Sequence, residues 1–267
     1  MDDGALRKAV EAALREAAAE AAARRPAKIS AKAAQDYVTD VDHHVDAHLT
    51  ARLGALTPDA PVLSEERATT PGAVRPPYWI LDPIDGTLNL AAGLPFVGVS
   101  AALVDAEGPW LGVVASLHGD GAVWSALRGG GAWRDGARLA APARPPEIVL
   151  LSTGTLDHLA TRPAAYRALR GVGKVRNLGA QALHLCLAAS GAAAAALSRE
   201  ARVWDEAAGA LIAAEAGCVL RAWGGAVDWS RSDAAMAAPG RRSLVAHPAI
   251  AAEIAGPAAT ALEGDDA

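Results

Sequence analysis

An apolar segment runs into two carboxylates in the sequence Trp79-Ile80-Leu81-Asp82-Pro83-Ile84-Asp85-Gly86-Thr87. Its apolar residues predict a buried strand, and Pro83, which has no N–H to donate, predicts that the strand ends there. Two acids at the end of a buried strand are costly unless a cation compensates their charge. Carboxylate oxygens are ligands that hard divalent cations prefer, and the carbonyl of Ile84 is a further available ligand. The segment therefore predicts a metal site.

The residues that follow the two acids predict an anion site beside the metal. Gly86-Thr87-Leu88-Asn89 is suited to open a helical turn, whose free N–H groups attract an anion. The competing interpretation is an Asp-Gly turn in which Thr87 caps a helix. That interpretation explains Asp85 but gives Asp82 no role, so we favour a site where a metal and an oxyanion meet.

Three other acidic segments each have an ordinary local explanation. Glu65 and Glu66 follow a short apolar strand and fit a solvated loop. Asp205 immediately precedes a predicted helix, where an aspartate is a favoured N-cap. Thr39 and Asp42 resemble a capping box at the start of another helix. These acids become specific for a function only when they are combined with the segment at 79–87.

Several other features argue against alternative chemistries. His44 and His48 share a helix face without an HExxH pattern, which favours a surface pair over a zinc site. Cys186 and Cys218 have no metal-ligand spacing and fit reduced thiols. The sequence has no GxSxG elbow, no GxGxxG fingerprint and no P-loop. It therefore offers nothing typical of a serine hydrolase or a dinucleotide enzyme.

Composition sets the broad class of protein. The chain has 267 residues, of which 52% are hydrophobic and 21% charged, so it can bury a large core. The net charge of -5, from 25 basic and 30 acidic residues, argues against a nucleic-acid partner and by itself disfavours a phosphorylated substrate. With no signal-peptide pattern and no apolar run of about 18 residues, we expect a cytoplasmic protein without a membrane partner.

Hydrophobic periodicity predicts a mixed layered architecture. A helix covers 5–24, another begins at Thr39, and short apolar runs between 97 and 151 predict a strand meander with Asp-Gly turns at 120–121 and 135–136. The elements predicted later are strands near 172–175, 218–223 and 243–248 and helices from Gln181, over 206–216 and over 248–255. Alternating helices and sheets favour an α/β or α+β fold.

Five blocks, in this order, resemble the inositol monophosphatase family of metal-dependent, lithium-sensitive phosphatases. They are DYVTDVD (36–42), LSEE (63–66), WILDPIDGTLN (79–89), LGAQAL (178–183) and VWDEAAG with AEAGC (203–218). The resemblance implies a layered αβαβα sandwich of the inositol monophosphatase and fructose-1,6-bisphosphatase type, assembled as a homodimer. It also implies two halves, 1–151 with the DPIDGT site and 152–267 with the WDEAAG ligand, that form one functional unit.

The same resemblance implies roles for individual residues. The implied metal ligands are Glu65, Asp82, the Ile84 carbonyl, Asp85 and Asp205. Glu65 and Thr87 would orient the attacking water, and Asp42 would hold a further metal or its water. The implied substrate contacts are Gly86, Thr87, Gly179, Ala180, Gln181, Ser198 and Asp205. The cofactor would be two or three Mg²⁺ per site, with Mn²⁺ as an alternative and lithium as an inhibitor.

The implied activity is hydrolysis of a small polyol or sugar-type phosphate, inositol 1-phosphate above all, by metal-activated water without a phosphoenzyme. Ser198 departs from the family pattern, which has a substrate-binding Glu there, and Glu200 lies two residues on. Histidinol-phosphate phosphatase, 3′(2′),5′-bisphosphate nucleotidase and fructose-1,6-bisphosphatase activities therefore stay open. A silent phosphate-binding paralogue is the alternative outside the enzymes.

Overall fold

The segment with Asp82 forms a fully buried strand, Tyr78–Asp85, in the computed structural model. The structure describes residues 1–33, 36–67, 74–139, 142–225, 227–230 and 240–263. Alternate residues of the strand enter two different cores: Tyr78 and Ile80 pack into one, and Trp79 and Leu81 into the other. This period of two places a layer of structure on each face of the strand.

The elements are numbered in chain order over the described residues. The helices are α1 Asp3–Ala22, α2 Asp40–Leu56, α3 Thr87–Ala92, α4 Thr153–Ala160, α5 Pro163–Val172, α6 Gln181–Ala189, α7 Val203–Glu215 and α8 Ala251–Leu262. The strands are β1 Ile29–Ala33, β2 Asp36–Thr39, β3 Val62–Ser64, β4 Tyr78–Asp85, β5 Gly98–Asp105, β6 Gly108–Ser116, β7 Val123–Leu127, β8 Gly131–Arg134, β9 Ala137–Arg138, β10 Ile148–Leu151, β11 Lys174–Arg176, β12 Ala195–Ala201, β13 Val219–Trp223 and β14 Arg241–Ala246. Glu65–Arg67 and Pro248–Ile250 are short 3-10 helices.

Two sheets form the inner framework. The first has seven strands in the order β3-β4-β5-β6-β7-β8-β9, in which only the β3–β4 pair is parallel. The second has five strands in the order β11-β10-β12-β14-β13, with β10 parallel to both of its neighbours. A separate hairpin pairs β1 with β2.

Three buried clusters show how the layers stack. Helices α1 and α2 cover one face of the first sheet, and α6 and α7 lie between the two sheets. Helices α4, α5 and α8 cover the outer face of the second sheet. The order is therefore helices, sheet, helices, sheet, helices, which confirms the expected αβαβα sandwich.

Several local predictions are confirmed and others are wrong. Thr39 and Asp42 form the predicted capping box at the start of α2. Strand β4 does not end at Pro83, because a register shift against β5 between Asp82 and Asp85 accommodates the proline within the strand. The predicted strand at 172–175 is wrong in its first part, because Val172 ends α5 and β11 begins at Lys174.

Candidate active site

The parallel pairing of β3 and β4 brings the first two acids together. Ser64, the last residue of β3, pairs with Leu81, so Glu65 follows β3 at the level of Asp82 within β4. The third acid, Asp205, lies in the first turn of α7. Oxygen atoms of Glu65, Asp82 and Asp205 all lie within 4.8 Å of one another.

The negative charges of these three carboxylates repel one another, so each carboxyl group is harder to ionise. Burial first, and then the neighbouring Glu65, Asp85 and Asp205, raise the pKa of Asp82 well above its usual range. Burial and the same repulsion raise the pKa of Asp205, and burial raises that of Glu65. Such a cluster of hard oxygen donors is suited to a divalent cation, which would remove the repulsion.

Asp85 is arranged differently from the other acids. Its Oδ1 accepts the N–H of Gln181 at 3.1 Å, and its Oδ2 accepts the N–H of Ala182 at 2.6 Å, both at the start of α6. Burial raises the pKa of Asp85 to about 7, although the two N–H groups act in the opposite direction. Asp85 therefore joins β4 to α6 as well as lining the site.

Thr87 lies at the junction of two predicted site residues. Its Oγ1 is 2.8 Å from Oδ1 of Asp42 and 3.1 Å from the carbonyl oxygen of Ile84, and its single hydroxyl proton serves one of them at a time. Asp42 is itself held by the N–H of Thr39 at 3.0 Å. The threonine hydroxyl is thus fixed in place by buried groups.

Gly86 is required by the close approach of two loops. Its φ of +93° lies in the left-handed region, which favours glycine. A Cβ at this position would lie 2.8 Å from the carbonyl oxygen of Phe96 and 3.1 Å from that of Gly179. Any side chain would push apart the turn after β4 and the loop before α6.

A cavity of about 250 Å³ brings most of the predicted site residues together. Among those that line it are Glu65, Asp82, Ile84, Asp85, Gly86, Thr87, Gly179, Ala180, Gln181, Ser198 and Asp205. Asp42 is not among the lining residues and contacts the site through Thr87. The cavity is also lined by Glu200 and by Ser152, Thr153, Asn177 and His184, of which the sequence singled out only Glu200.

Two residues that the resemblance did not assign bring positive charge to the acids. Lys32 Nζ is 3.0 Å from Oε1 of Glu65 and 2.7 Å from Oε1 of Glu66. Burial lowers the pKa of Lys32, but the two glutamates more than offset this and raise it overall. Arg202 Nη1 lies 3.7 Å from the same oxygen of Glu65. No spacing signal in the sequence connects 32 or 202 with 65.

The local interpretation of Asp205 as an N-cap is wrong. Helix α7 begins two residues earlier, at Val203, so Asp205 is its third residue. Its Oδ2 accepts the N–H of Arg202 at 2.7 Å, as the third residue of a capping box does. This hydrogen bond to the N–H of Arg202 holds one oxygen of a carboxylate that lines the cavity.

The histidine pair proposed for the surface also has a partner from another helix. His44 Nε2 lies 3.0 Å from Oε2 of Glu20 on α1, and His48 Nδ1 lies 3.7 Å from the same oxygen. Cys186 is buried and Cys218 partly buried, and both are free thiols. Among the described residues, no helix is long and apolar enough to cross a membrane.

The fold and the cavity define a class of layered proteins with an acidic site between two sheets. A profile of the inositol monophosphatase family matches residues 3–258, and the chain belongs to that family. Members of the family are phosphatases that hydrolyse phosphate monoesters.

Individual relatives resemble the chain over different lengths. An inositol-1-monophosphatase of Mycobacterium leprae is 40% identical over 153 residues, or 54% of this chain and 52% of the relative. The chain thus spans about half the length of the curated relatives it matches. The structure of Mycobacterium tuberculosis SuhB is 29% identical, with a TM-score of 0.74 over 98% of this chain and 100% of that one.

A third similarity concerns the fold alone. An IMPase/NADP phosphatase, solved in complex with Mg²⁺ and phosphate, is 22% identical to this chain. Its TM-score is 0.69, and the match covers 90% of this chain and 87% of that one.

Proposed function

We propose that the protein is a Mg²⁺-dependent phosphomonoesterase that hydrolyses a small polyol or sugar-type phosphate, with inositol 1-phosphate as the first candidate. The observation that carries the proposal is the cluster of Glu65, Asp82 and Asp205 oxygens within 4.8 Å, at a cavity of about 250 Å³. Within the described residues, the lining of the cavity includes no Lys or Arg. The charge that meets a phosphate is therefore proposed to come from bound cations.

The donor set fits magnesium, which prefers carboxylate and carbonyl oxygens. The residues proposed to hold it are Glu65, Asp82, the Ile84 carbonyl, Asp85 and Asp205. When bound, Mg²⁺ would neutralise phosphate charge and lower the pKa of a coordinated water. The complex of a similarly folded phosphatase with Mg²⁺ and phosphate supports this assignment.

The chain's own residues are proposed to position the reactants. Glu65 would accept a proton from the attacking water, which Thr87 would orient through its hydroxyl. Asp42 would keep that hydroxyl in place, since the two side chains are hydrogen-bonded at 2.8 Å. Gly86 and Thr87 would offer their backbone N–H groups to the phosphate. This arrangement needs no covalent intermediate, because positioning and charge carry most of phosphoryl transfer.

The remaining lining residues would contact the leaving group. They are Gly179, Ala180, Gln181 and Ser198. Asp205 would contact the leaving group as well as the metal. Ser198 is fully buried, and its Oγ accepts the N–H of Ala201 at 3.2 Å. The hydroxyl and amide groups of this part of the cavity favour an uncharged, hydroxylated leaving group. A second phosphate would find no Lys or Arg among the described lining residues, which disfavours the bisphosphate substrates.

One observation favours a second candidate. Glu200 is exposed and lines the same cavity, near Gly154 in the first turn of α4. A carboxylate there would suit a leaving group that carries an amine, as histidinol phosphate does. Histidinol-phosphate phosphatase activity is therefore the alternative that we would test first.

Several finer properties rest on the family alone. We propose a homodimer, activity with Mn²⁺ in place of Mg²⁺, inhibition by lithium, and a single functional unit that needs both halves, 1–151 and 152–267. Light scattering after size-exclusion chromatography tests the dimer, and phosphate release with LiCl tests the inhibition. A monomeric mass or full activity at high lithium would contradict the corresponding proposal.

The proposed activity is tested by phosphate release with saturating Mg²⁺ from a panel of esters. The panel contains inositol 1-phosphate, histidinol phosphate, fructose 1,6-bisphosphate and adenosine 3′,5′-bisphosphate. We expect the highest kcat/KM for inositol 1-phosphate and lower values for both bisphosphates.

The controls separate the enzyme from contaminants and from a silent paralogue. Asp205→Asn should lose activity, whereas Asp59→Asn, which removes an exposed carboxylate outside the cavity, should keep it. Absence of turnover on every ester would instead support a phosphate-binding paralogue without activity. Preference for histidinol phosphate would replace the first candidate with the second.

A further inference from the structure

Two buried polar atoms on α6 have no hydrogen-bond partner among the described residues. They are Nδ1 of His184 and Oε1 of Gln181. His184 is 1% exposed and Gln181 is 9% exposed, and both residues line the cavity. Buried polar groups are rarely left unpaired, because their lost hydration costs free energy. The lack of partners for these two atoms therefore needs an explanation, because the packing of the described residues supplies no hydrogen bond to either of them.

The hydrogen bond on the other side of the imidazole fixes the tautomer of His184. The N–H of Leu178 donates to Nε2 at 3.1 Å, so Nε2 carries a lone pair and Nδ1 carries the proton. Burial lowers the pKa of His184 to about 4, which keeps the ring neutral near pH 7. Nδ1 is therefore a hydrogen-bond donor.

A neighbouring carboxylate likewise fixes the side-chain amide of Gln181. Its Nε2 donates to Oε1 of Glu206 at 3.2 Å, and a carboxylate accepts hydrogen bonds. Oε1 must then be the free atom of the amide. Glu206 is held in turn by Arg241, whose Nε lies 3.3 Å from its second oxygen. Oε1 of Gln181 is therefore a hydrogen-bond acceptor.

The two residues lie on the same side of one helix. Residues 181 and 184 are three apart on α6, so their side chains are neighbours on its surface. The backbone N–H of Gln181 also binds Asp85, which places this part of the helix beside the acids. A donor and an acceptor on two neighbouring side chains of one cavity match an alcohol, whose hydroxyl both accepts and donates.

We propose that Nδ1–H of His184 and Oε1 of Gln181 together bind one hydroxyl of the substrate's leaving group and select esters that carry it. This inference rests on the proposed phosphatase activity. It assigns a specificity role to His184, which the sequence did not identify, and to the side chain of Gln181. It further explains why a neutral imidazole lies in a cavity whose other titratable groups are carboxylic acids and the phenol of Tyr37.

The test compares esters that differ only in their hydroxyl groups. The pairs are inositol 1-phosphate with cyclohexyl phosphate, and glycerol 2-phosphate with isopropyl phosphate. The quantity measured is the ratio of kcat/KM within each pair. His184→Gln can still accept from Leu178 but has no donor at the Nδ1 position, so the ratio should fall about fivefold, mainly through KM.

For the conservative variant, His184→Asn, we expect the opposite result. His184→Asn places an amide N–H near the position of Nδ1, so it should keep the wild-type ratio within about twofold while it lowers Tm. Gln181→Met should lower the ratio as His184→Gln does. The double variant should lose little more than either single change, because both atoms bind one hydroxyl.

A second buried histidine provides the matched control. His247 lies outside the cavity, and its Nδ1 accepts the N–H of Ala249 at 3.2 Å. His247→Gln should lower Tm without a change in the ratio. An unchanged ratio in His184→Gln would overturn the inference and assign the two atoms to an ordered water. If wild type hydrolyses none of the four esters, the proposed function fails instead.

Discussion

Two groups among the residues that line the cavity differ in charge and in origin. The acidic group is Glu65, Asp82, Asp85 and Asp205, and the neutral group is Ser152, Thr153, Asn177 and Ser198. Three of the four acids come from the first half of the chain, whereas every member of the neutral group comes from the second. The acids share raised pKa values, because burial and mutual repulsion oppose their ionisation.

This difference suggests that one group is responsible for the reaction and the other for the choice of substrate. Ionised buried acids are costly without a compensating cation, so the acidic group is proposed to determine which cofactor binds and which reaction follows. Neutral hydroxyl and amide groups impose no such requirement and can vary with the substrate. We therefore expect changes in the acidic group to abolish turnover and changes near the neutral group to redistribute it among substrates.

The largest effect is expected from the acidic group itself. Asp205→Asn and Asp85→Asn should each lower kcat at least about 100-fold on inositol 1-phosphate, because each removes a proposed metal ligand. Circular dichroism and Tm should show a folded protein. Wild-type turnover in either variant would refute its role as a ligand, and Asp59→Asn is the matched control.

The acidic group should also determine how stability depends on pH after EDTA treatment. The pKa of Asp85 is raised from 3.8 to about 7 in the folded protein, so between these values the folded state holds more protons than the unfolded one. Stability should then fall as pH rises from 5 to 8, by at least about tenfold in the unfolding equilibrium. Thermal unfolding measures this, and added Mg²⁺ should restore Tm at pH 8.

The same experiment has an internal control. Asp85→Asn carries no titrating group at this position, so its Tm should depend less on pH than that of the wild type. A Tm that rises between pH 5 and pH 8 in the EDTA-treated wild type would contradict the raised pKa of the acidic group.

A smaller effect is expected from the ammonium beside the acids. Lys32→Met removes the positive charge 3.0 Å from Glu65 and 2.7 Å from Glu66, so the site that contains Glu65 should bind Mg²⁺ about fivefold more tightly. Isothermal titration calorimetry of the EDTA-treated protein measures the Kd. Lys8→Met, on an exposed position of α1, should leave it unchanged. Weaker binding in Lys32→Met would mean that Lys32 supports the metal site.

The smallest effect is expected beside the neutral group. Glu200→Gln removes an exposed carboxylate, so the ratio of kcat/KM for histidinol phosphate to that for inositol 1-phosphate should fall about two- to threefold. Glu253→Gln, exposed on α8 and outside the cavity, is the control. An unchanged ratio would show that Glu200 does not contact the leaving group.

Much of the fold could be predicted where local patterns were strong. The helix after Thr39, the hairpin turns at 120–121 and 135–136 and the helix from Gln181 are confirmed. Helices α4 and α5 were missed because they are short, and at 8 and 10 residues they offer little periodicity. The hairpin of β1 and β2 was missed because most of β1 is exposed and carries no apolar alternation.

In the candidate site, too, some residues could be predicted from the sequence and others could not. Asp82 and Asp85 were singled out because two carboxylates at the end of a buried strand need a reason that the sequence can show. Glu65 and Asp205 have ordinary local explanations and were assigned only through the family resemblance. Lys32, Arg202 and His184 were not found, since a lone basic residue has many ordinary explanations and its partners are distant in sequence. Glu65 and Lys32 are 33 residues apart, and Glu65 and Arg202 are 137 apart.

By itself, the sequence determined the residue types of the site and the strand that presents two of its acids. Only the tertiary structure decided that Glu65, Asp82 and Asp205 meet within 4.8 Å and that Asp85 binds the start of α6. It also decided that Nδ1 of His184 has no hydrogen-bond partner in the described part of the chain. The physical reason is the distance along the chain over which each effect acts. Apolar alternation and proline act within a few residues, whereas those distances depend on how sheets pair and how helices pack between them.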